Sequence, residues 1–306
     1  MRKGAAAVSP LNAPDARHER RERLIRKPLI RDQGNVTERS RANSFLRWAG
    51  SKRQLLPKLR GFWSDHYLRY IEPFAGSACL FFDLEPRSAI LADLNQELIC
   101  TLRAIQRDVY LVLECLRRLP KGEIAYYKVR KLDTSLLSDT EIAARFIYLN
   151  RYCFNGLYRT NGLGKFNVPY GPPKSGLPAN ENTIINAARV LQQSMLIAGD
   201  FEATLAYADT GDFVYLDPPY VTDSRRVFSE YLPNTFTKKD LARLSNTLDS
   251  LDKRGTIFLV SYADSPEARK LLAKWRPKRI LTRRNIAGFA GSRKGAYELI
   301  ATNKKC

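Results

Sequence analysis

The sequence has 306 residues, of which 44% are hydrophobic and 10% aromatic, so it can bury a substantial core and does not have the composition of a disordered chain. No run of about 18 apolar residues occurs, which argues against a membrane-spanning helix. The formal charge of +20 favours a polyanionic partner such as nucleic acid, although a basic surface that serves only solubility would give the same total.

Metal-binding motifs do not occur in the sequence. The five cysteines occupy positions 79, 100, 115, 153 and 306, and the two histidines are His18 and His66. They form neither a Cys-x-x-Cys pair nor a His-Glu-x-x-His motif, so we expect no metal site. An odd number of widely spaced cysteines is typical of a reducing compartment, which favours a cytoplasmic location.

The first 43 residues are predicted to be a disordered basic extension. They carry a net charge of +6 and contain no aromatic residue, so ordering them would cost entropy while burying little apolar surface. The stretch Arg17–Arg31 could form a short basic helix against DNA. A transit peptide is an alternative, but the five acidic residues and the lack of an apolar segment oppose it.

From Phe45 onward, short apolar runs alternate with helical patterns. Strands are predicted at Tyr70–Glu72, Ala89–Ala92, Met195–Ala198, Phe213–Leu216 and Thr256–Val260. Helices are predicted at Gln96–Leu119, Asp139–Asn150, Asn182–Gln193, Lys238–Leu251 and Ser265–Trp275. Strands separated by helices predict an α/β fold with a parallel sheet covered on both faces. The runs Arg279–Arg284 and Ala296–Ala301 flank a Gly-rich loop and predict an antiparallel pair at the end.

One region interrupts this alternation. Residues Arg151–Gly176 are dense in Gly, Asn, Tyr and Pro, and two Asn-Gly pairs favour turns with positive φ. Basic and aromatic side chains are interleaved there. We therefore predict a main domain made of residues 44–104 and 196–306, interrupted by an inserted, mainly helical module at residues 105–195.

The segment with the clearest chemical meaning is Asp217-Pro218-Pro219-Tyr220, which directly follows the apolar strand Phe213–Leu216. Ligands of open α/β sheets bind beyond the carboxyl ends of the strands. The Asp217 carboxylate and the Pro218 carbonyl can accept the two N–H groups of an amine on a base ring, and the fixed φ of proline aims that carbonyl in advance. The Tyr220 ring can stack on the base. A strand-ending turn without a chemical role is the alternative.

A second segment suggests a cofactor site. In Ile71–Ala78 a strand end enters a turn of small residues and then a helix, which lets backbone approach a ligand. Asp93 ends the next predicted strand, where an acidic residue can accept hydrogen bonds from two ribose hydroxyls. Together these features predict a site for an adenosine-type cofactor, with two ordinary strand-end turns as the alternative.

Five segments in a fixed order resemble the Dam-type family, the alpha group of DNA adenine-N6 methyltransferases. They are FLRWAGSK from Phe45, EPFAGSA from Glu72, ILAD from Ile90, NRYCFNGLYR with KFNVPYG, and LDPPY. The resemblance covers about residues 45–303. It implies a Rossmann-like S-adenosylmethionine-dependent methyltransferase fold in which the module at 105–195 carries a target-recognition β-hairpin. It also implies transfer of a methyl group from S-adenosylmethionine to N6 of a flipped adenine in double-stranded DNA.

This resemblance implies which residues surround the cofactor. It places Lys52 near the carboxylate of the cofactor and Asp93 at its ribose. Asp217 would be shared between the cofactor and the target amine. The chain departs from the family at Ala78 and Ser51, where glycine is common, and we expect weaker or shifted cofactor binding at most. The expected cofactor-binding residues are Trp48, Lys52, Glu72, Pro73, Phe74, Asp93, Asp200, Phe201 and Asp217.

The resemblance also assigns DNA contacts and implies GATC as the target. Arg47 and Arg159 would read guanines, and Leu157 and Pro169 would touch a thymine methyl group. Either Phe154 or Asn155 would fill the space that the flipped adenine leaves. Arg293 and Lys294, in the Gly-rich loop, would contact phosphates, and Arg225–Phe236 would form a lid over the site.

Three alternatives remain at this point. The enzyme could act on cytosine N4 or on adenine in RNA, although the leading Asp217 favours adenine and the hairpin favours duplex DNA. The chain could instead be a non-catalytic DNA-binding protein that keeps the fold, which the presence of Asp217 and Asp93 opposes. A cognate restriction endonuclease is a possible partner, and the resemblance implies a prokaryotic or phage-encoded protein that works at the nucleoid.

Overall fold

The computed structural model describes residues 41–171, 180–221, 236–283 and 295–304. These residues all belong to one compact unit that begins at Arg41. The predicted extension up to residue 40, the predicted lid from Arg225 to residue 235, and the predicted phosphate contacts Arg293 and Lys294 lie outside the described residues.

The described strands form one seven-stranded mixed sheet in the order β3-β2-β1-β4-β5-β7-β6. Neighbours among β1–β5 are parallel, and β7 runs antiparallel to both β5 and β6. The predicted parallel α/β sheet and the predicted antiparallel pair at the end are confirmed. The strands are β1 (Tyr70–Glu72), β2 (Ala89–Asp93), β3 (Ser194–Ala198), β4 (Phe213–Leu216), β5 (Ile257–Ala263), β6 (Lys278–Arg283) and β7 (Gly295–Thr302).

Helices cover both faces of the sheet. In β4, Phe213 and Tyr215 belong to one buried apolar cluster while Val214 and Leu216 belong to the other, because successive strand residues point to opposite faces. The α-helices are α1 (Leu56–Arg60), α2 (Cys79–Leu84), α3 (Gln96–Arg118), α4 (Glu123–Arg130), α5 (Asp139–Tyr152), α6 (Glu181–Leu191), α7 (Phe201–Leu205), α8 (Lys238–Lys253) and α9 (Pro266–Leu272). Helices α3 and α6 pack on the first cluster, and α7, α8 and α9 on the second.

Local capping explains where several helices begin. Ser138 and Glu141 form a capping box at the start of α5, and Thr237 and Asp240 form one at the start of α8. The predicted helix Gln96–Leu119 is not continuous, because Asp108 has non-helical φ and ψ of −155° and 87° and its carboxylate accepts the backbone N–H of Leu111. Asp108 therefore ends one helical segment and caps the next.

The helix α4 was not predicted from the sequence. It has eight residues, and its cap position is Gly122, which offers no side-chain oxygen to the first turn. Its stability comes from packing, since Tyr126 and Val129 are buried against the segment that follows α5. A short helix held by tertiary contacts leaves little periodicity in the sequence.

The segment after α5 forms an irregular antiparallel hairpin. Cys153 pairs with Tyr170 and Thr160 with Phe166, and the Tyr126 hydroxyl of α4 donates to the Val168 carbonyl at 2.8 Å. These isolated antiparallel bridges lie where the resemblance implied a hairpin, and its role in target recognition stays a prediction. The division into a domain of residues 44–104 and 196–306 and a module of residues 105–195 stays a prediction, and α3 runs through its first boundary.

Candidate active site

Three carboxylates lie at one edge of the sheet. Glu72 ends β1, Asp93 ends β2 and Asp217 follows β4, and β1 is hydrogen-bonded to both of the other strands. Because these strands are parallel, their carboxyl ends meet at the same edge. This is also where the strand order reverses direction, which is the usual position of the ligand crevice in open α/β sheets. The structure therefore brings together residues from three separate sequence motifs.

Asp217 is held by a buried cation. The Lys52 ammonium lies 2.7 Å from one Asp217 oxygen and 3.0 Å from the other, and its side chain is only 4% exposed. The Ser261 hydroxyl donates to Asp217 at 3.2 Å. Burial by itself lowers the pKa of Lys52, but the negative charge of Asp217 and the other groups nearby outweigh this effect and raise the pKa above its usual range. Burial raises the pKa of the Asp217 carboxyl above its usual range, and the charge and hydrogen bond of Lys52 oppose that shift and favour the ionised form.

The Tyr220 side chain is fixed at its hydroxyl. That oxygen accepts a hydrogen bond from Lys52 at 3.0 Å and donates to the Glu298 carboxylate of β7 at 3.0 Å. The preceding turn is held as well, since the Tyr262 hydroxyl donates to the Pro219 carbonyl at 3.2 Å. Pro218 is buried beneath the turn. The Asp-Pro-Pro-Tyr segment is thus a rigid corner with one carboxylate and one aromatic ring in fixed positions.

The Asp93 carboxylate is oriented by backbone groups. The N–H of Gly76 donates to one oxygen and the N–H of Asn95 to the other, both at 2.9 Å. Each carboxylate oxygen retains acceptor capacity beyond these bonds, as paired ribose hydroxyls would require. Gly76 has a φ of +46°, and a Cβ there would lie 2.7 Å from the Trp48 indole nitrogen. The missing side chain therefore lets Trp48 pack directly on the turn that orients Asp93.

Replacing Gly76 by Ala tests this packing. The added methyl group would meet Trp48 in a left-handed backbone conformation, so we expect the free energy of unfolding to fall by about 1–3 kcal/mol and cofactor affinity to weaken. Urea denaturation and isothermal titration calorimetry measure the two effects. Gly61→Ala is the control, because its Cβ would make only an ordinary contact of 3.5 Å. Equal stability of the two variants would contradict the packing argument.

Ala78, where the family often has glycine, has an unusual backbone. Its φ and ψ are 48° and 38°, in the left-handed region that favours glycine, and the residue is 1% exposed at the start of α2. The cost of alanine at this position is therefore backbone strain. Ser51, the other departure, accepts a hydrogen bond from the Ser77 hydroxyl at 3.3 Å.

Glu72 is the most deeply buried carboxyl group of this edge. It is 2% exposed, and the Tyr70 hydroxyl donates to it at 3.0 Å. Burial raises its pKa well above 4.5, and the nearby charges of Asp217 and Asp93 raise it further, while the bond from Tyr70 opposes the shift. Glu72 therefore holds its proton more tightly in the folded chain than in the unfolded chain.

This shift predicts a pH-dependent effect of Glu72→Gln. As pH rises above 4.5, the unfolded wild-type chain releases the proton while the folded chain keeps it, so the wild type loses up to about 1.4 kcal/mol of stability per pH unit. Glutamine accepts the same bond from Tyr70 and does not titrate. We expect the variant to gain stability relative to wild type as pH rises above 4.5, as measured by urea unfolding. Glu123→Gln, at an exposed position, should show no such divergence; a constant difference for Glu72→Gln would refute the shift.

Two further predicted cofactor residues, Asp200 and Phe201, lie at the start of α7. Asp200 caps this helix and pairs with Arg243 at 2.6 Å. Phe201 is buried and stacks on Phe74 with ring centroids 5.3 Å apart. Pro73 is buried beside Phe74. The two phenyl rings thus form an apolar wall next to the end of β1.

The predicted DNA-contacting residues lie on the hairpin and beside it. The Asn150 side chain pairs with both the backbone N–H and the carbonyl of Arg47, at 2.9 and 2.7 Å. A Cβ at Gly156 would lie 2.5 Å from the Arg47 side chain, so Arg47 packs directly on the hairpin. Arg159 donates to Asn167 across the hairpin at 2.8 Å. Two guanidinium groups from distant sequence positions are therefore held by one structural unit.

The remaining predicted DNA contacts differ in exposure. Phe154 is 42% exposed and Pro169 is exposed, while Leu157 is half-buried. Asn155 has a positive φ of 54°, which places it at the tip of a tight turn. A large exposed apolar ring on such a turn suits insertion between bases.

Sequence reasoning missed three residues of this region. Ser261 and Glu298 contact Asp217 and Tyr220, and Tyr158 stacks on Trp48. Ser261 and Glu298 are polar residues inside the otherwise apolar strands β5 and β7, and this was the available signal for them, because polar groups are buried only with partners.

Within the described ranges, no group of three or more His, Cys, Asp or Glu residues could hold a metal ion. No described helix has the length and apolar character needed to cross a membrane.

Comparison with known proteins identifies similar sequences. A family model for the D12 class N6 adenine-specific DNA methyltransferases matches residues 48–286. The type II methyltransferase M1.LlaDCHI of Lactococcus lactis subsp. cremoris is 33% identical over 88% of this chain and 99% of the relative. M.MjaIII of Methanocaldococcus jannaschii is 32% identical over 85% and 98%. The DNA adenine methylase of Escherichia coli K12 is 31% identical over 85% and 95%.

Proposed function

The chain belongs to the D12 class of N6 adenine-specific DNA methyltransferases, and on that premise we propose that it methylates N6 of a flipped adenine within GATC in double-stranded DNA. The observation that carries the proposal is the position of Asp217. It follows β4 at the same sheet edge as Asp93, with Lys52 held against it. The family match favours DNA adenine over cytosine N4, RNA or a purely DNA-binding role.

S-adenosylmethionine is the proposed methyl donor, and when bound it supplies an electrophilic methyl group. The residues present fit such a group, because two N–H groups orient the Asp93 carboxylate and each of its oxygens can still accept a hydrogen bond from a ribose hydroxyl. Trp48, Glu72, Pro73 and Phe74 surround this position, with Asp200 and Phe201 at its far side. Lys52 is bound to Asp217 in the structure, and its predicted position near the carboxylate of the cofactor stays part of this proposal.

The corner residues would prepare the target amine. Asp217 and the Pro218 carbonyl accept hydrogen bonds from the two N6 N–H groups and hold these groups out of the ring plane, so that the nitrogen lone pair is no longer delocalised into the ring. The N6–methyl bond would form as the methyl–sulfur bond breaks and a neutral thioether leaves. Positive charge then grows on N6, where the Asp217 carboxylate stabilises it until one N6 proton is lost to solvent. Pro219 restricts the φ angle of the backbone in this corner, and Tyr220 stacks on the base. Since both Asp217 oxygens contact Lys52, the amine must share the carboxylate with this cation.

Target reading is assigned to the hairpin and to Arg47. Arg47 and Arg159 present guanidinium groups for guanine O6 and N7, which is a bidentate major-groove contact. Leu157 and Pro169 would contact a thymine methyl group, and Phe154 or Asn155 would occupy the gap left by the flipped base. The net charge of +20 supports association with duplex DNA.

Plasmid protection tests the proposed site. DNA from cells that express the chain should resist a nuclease blocked by methylated GATC and be cut by one that requires methylated GATC. DNA from cells that express Asp217→Asn serves as the control. Modified adenine outside GATC would overturn the sequence assignment alone, whereas the absence of any modified adenine would overturn the proposed reaction.

The cellular setting is also a proposal. Two of the similar proteins are named type II methyltransferases, which supports a restriction endonuclease as a possible partner. We place the enzyme in the cytoplasm of a prokaryote or a phage-infected cell, at the nucleoid, because the substrate DNA is there.

A further inference from the structure

Tyr158 lies in the chain between two residues that we assign to DNA reading, Leu157 and Arg159, and its ring packs against other aromatic residues. Its ring stacks on Trp48 with centroids 5.6 Å apart and an interplanar angle of 18°. On the hairpin side the same ring packs against Phe166 at 5.5 Å. Tyr158 therefore connects the hairpin directly to the segment that packs on the Gly76 turn.

The hydroxyl end of Tyr158 reaches a second element of the cofactor edge. It lies near the side chain of Asn95, which also caps α3. The Asn95 backbone N–H donates to one oxygen of Asp93, and the N–H of Gly76, beneath Trp48, donates to the other. Tyr158 thus packs on Trp48, which covers one of these two supports, and lies near the side chain of Asn95, the residue that provides the other.

This arrangement differs from that of the other aromatic residues of the hairpin region. Tyr126 and Phe166 belong to the buried cluster of the hairpin and α4, whereas Tyr158 packs against both that cluster and the larger cluster of the sheet. The half-buried Tyr158 ring is therefore a rigid contact between two packed units. A displacement of the hairpin on DNA would be transmitted to Trp48 and Asn95 through it.

We propose that Tyr158 is a positioning residue that couples binding of the methyl donor at Asp93 to reading of the target sequence by the hairpin. The inference rests on the proposed function. The coupling is reciprocal: if bound specific DNA raises the affinity for the cofactor by some factor, bound cofactor raises the affinity for that DNA by the same factor. Typical couplings between two sites are about 5-fold to 150-fold.

The test measures binding and does not depend on turnover. Isothermal titration calorimetry with S-adenosylhomocysteine, which cannot donate a methyl group, gives cofactor affinity for the full chain with and without a duplex that the wild type has been shown to methylate. We expect the wild-type ratio of the two affinities to be about 5-fold or more. Tyr158→Leu should bring the ratio close to one, and Tyr158→Phe, which keeps the ring and loses the Asn95 contact, should give an intermediate value.

Tyr126→Phe is the matched control. It removes a buried tyrosine hydroxyl that holds the hairpin through Val168, 2.8 Å away, but this residue does not contact Trp48 or Asn95. The control should keep the wild-type ratio. A ratio that is unchanged in Tyr158→Phe and Tyr158→Leu, or that falls equally in Tyr126→Phe, would overturn the inference. A wild-type ratio of one would also overturn the inference, but it would not affect the proposed methylation of adenine. If Tyr158→Leu does not fold, Tyr158→Phe alone decides.

Discussion

Asp217→Asn is expected to lower kcat for methyl transfer by about 10³-fold or more while duplex binding persists. Asparagine has nearly the same shape, but it carries no negative charge to stabilise the cation that develops on N6. The effect should appear in kcat more than in KM, because the interaction strengthens in the transition state. Transfer of labelled methyl groups to duplex DNA measures it, and Asp217→Ala should be inactive as well.

Asp212→Asn is the matched control for this change. Asp212 directly precedes β4, as Asp217 directly follows it, and it is fully buried in a pair with Arg69 at 2.6 Å. Both variants remove one carboxylate from an ion pair at an end of the same strand, although the Arg69 side chain is 35% exposed and the Lys52 side chain is buried. The control should lose stability but keep its kcat per folded molecule. Similar kcat losses in both variants would show that the Asp217 effect is only structural.

Lys52→Ala is expected to lower the free energy of unfolding by about 3–5 kcal/mol, the second large effect. It leaves the carboxylate of Asp217, whose side chain is only 19% exposed, without its cation. It also removes the hydrogen bond from Lys52 to the Tyr220 hydroxyl. Urea denaturation at neutral pH measures the loss, and methyl transfer should fall with it because both groups of the corner lose their positions.

A double variant separates charge from packing. Lys52→Met with Asp217→Asn removes both charges and keeps most of the side-chain volume, so we expect its stability to return close to that of the wild type. Its methyl transfer should stay as low as that of Asp217→Asn. Lys58→Ala, an exposed lysine in α1, should change stability by no more than about 0.5 kcal/mol. A double variant as unstable as Lys52→Ala would contradict the charge argument.

The order and type of most elements follow from local pattern. The apolar run Phe213–Leu216 indicates a strand buried on both faces, and the helical period of Lys238–Leu251 indicates a helix buried on one face. Both patterns are visible within a few consecutive residues. The same holds for Asp217, because a polar residue directly after a buried strand must lie at the sheet edge. The family followed from motifs whose residues are adjacent in the chain. These features are therefore readable before any folding is considered.

Tertiary structure alone decided which residues meet. Lys52 and Asp217 are 165 positions apart, and Tyr220 and Glu298 are 78 apart. Their contacts depend on a strand order in which β1 lies beside β4 and β7 lies beside β5. The packing of Tyr158 on Trp48 depends on where the hairpin lies relative to the sheet. Local sequence determines the hydrophobic period of each helix and strand. The partner of a buried charge depends on the arrangement of all the elements, because the free-energy cost of burying that charge falls only when the completed fold places an opposite charge beside it.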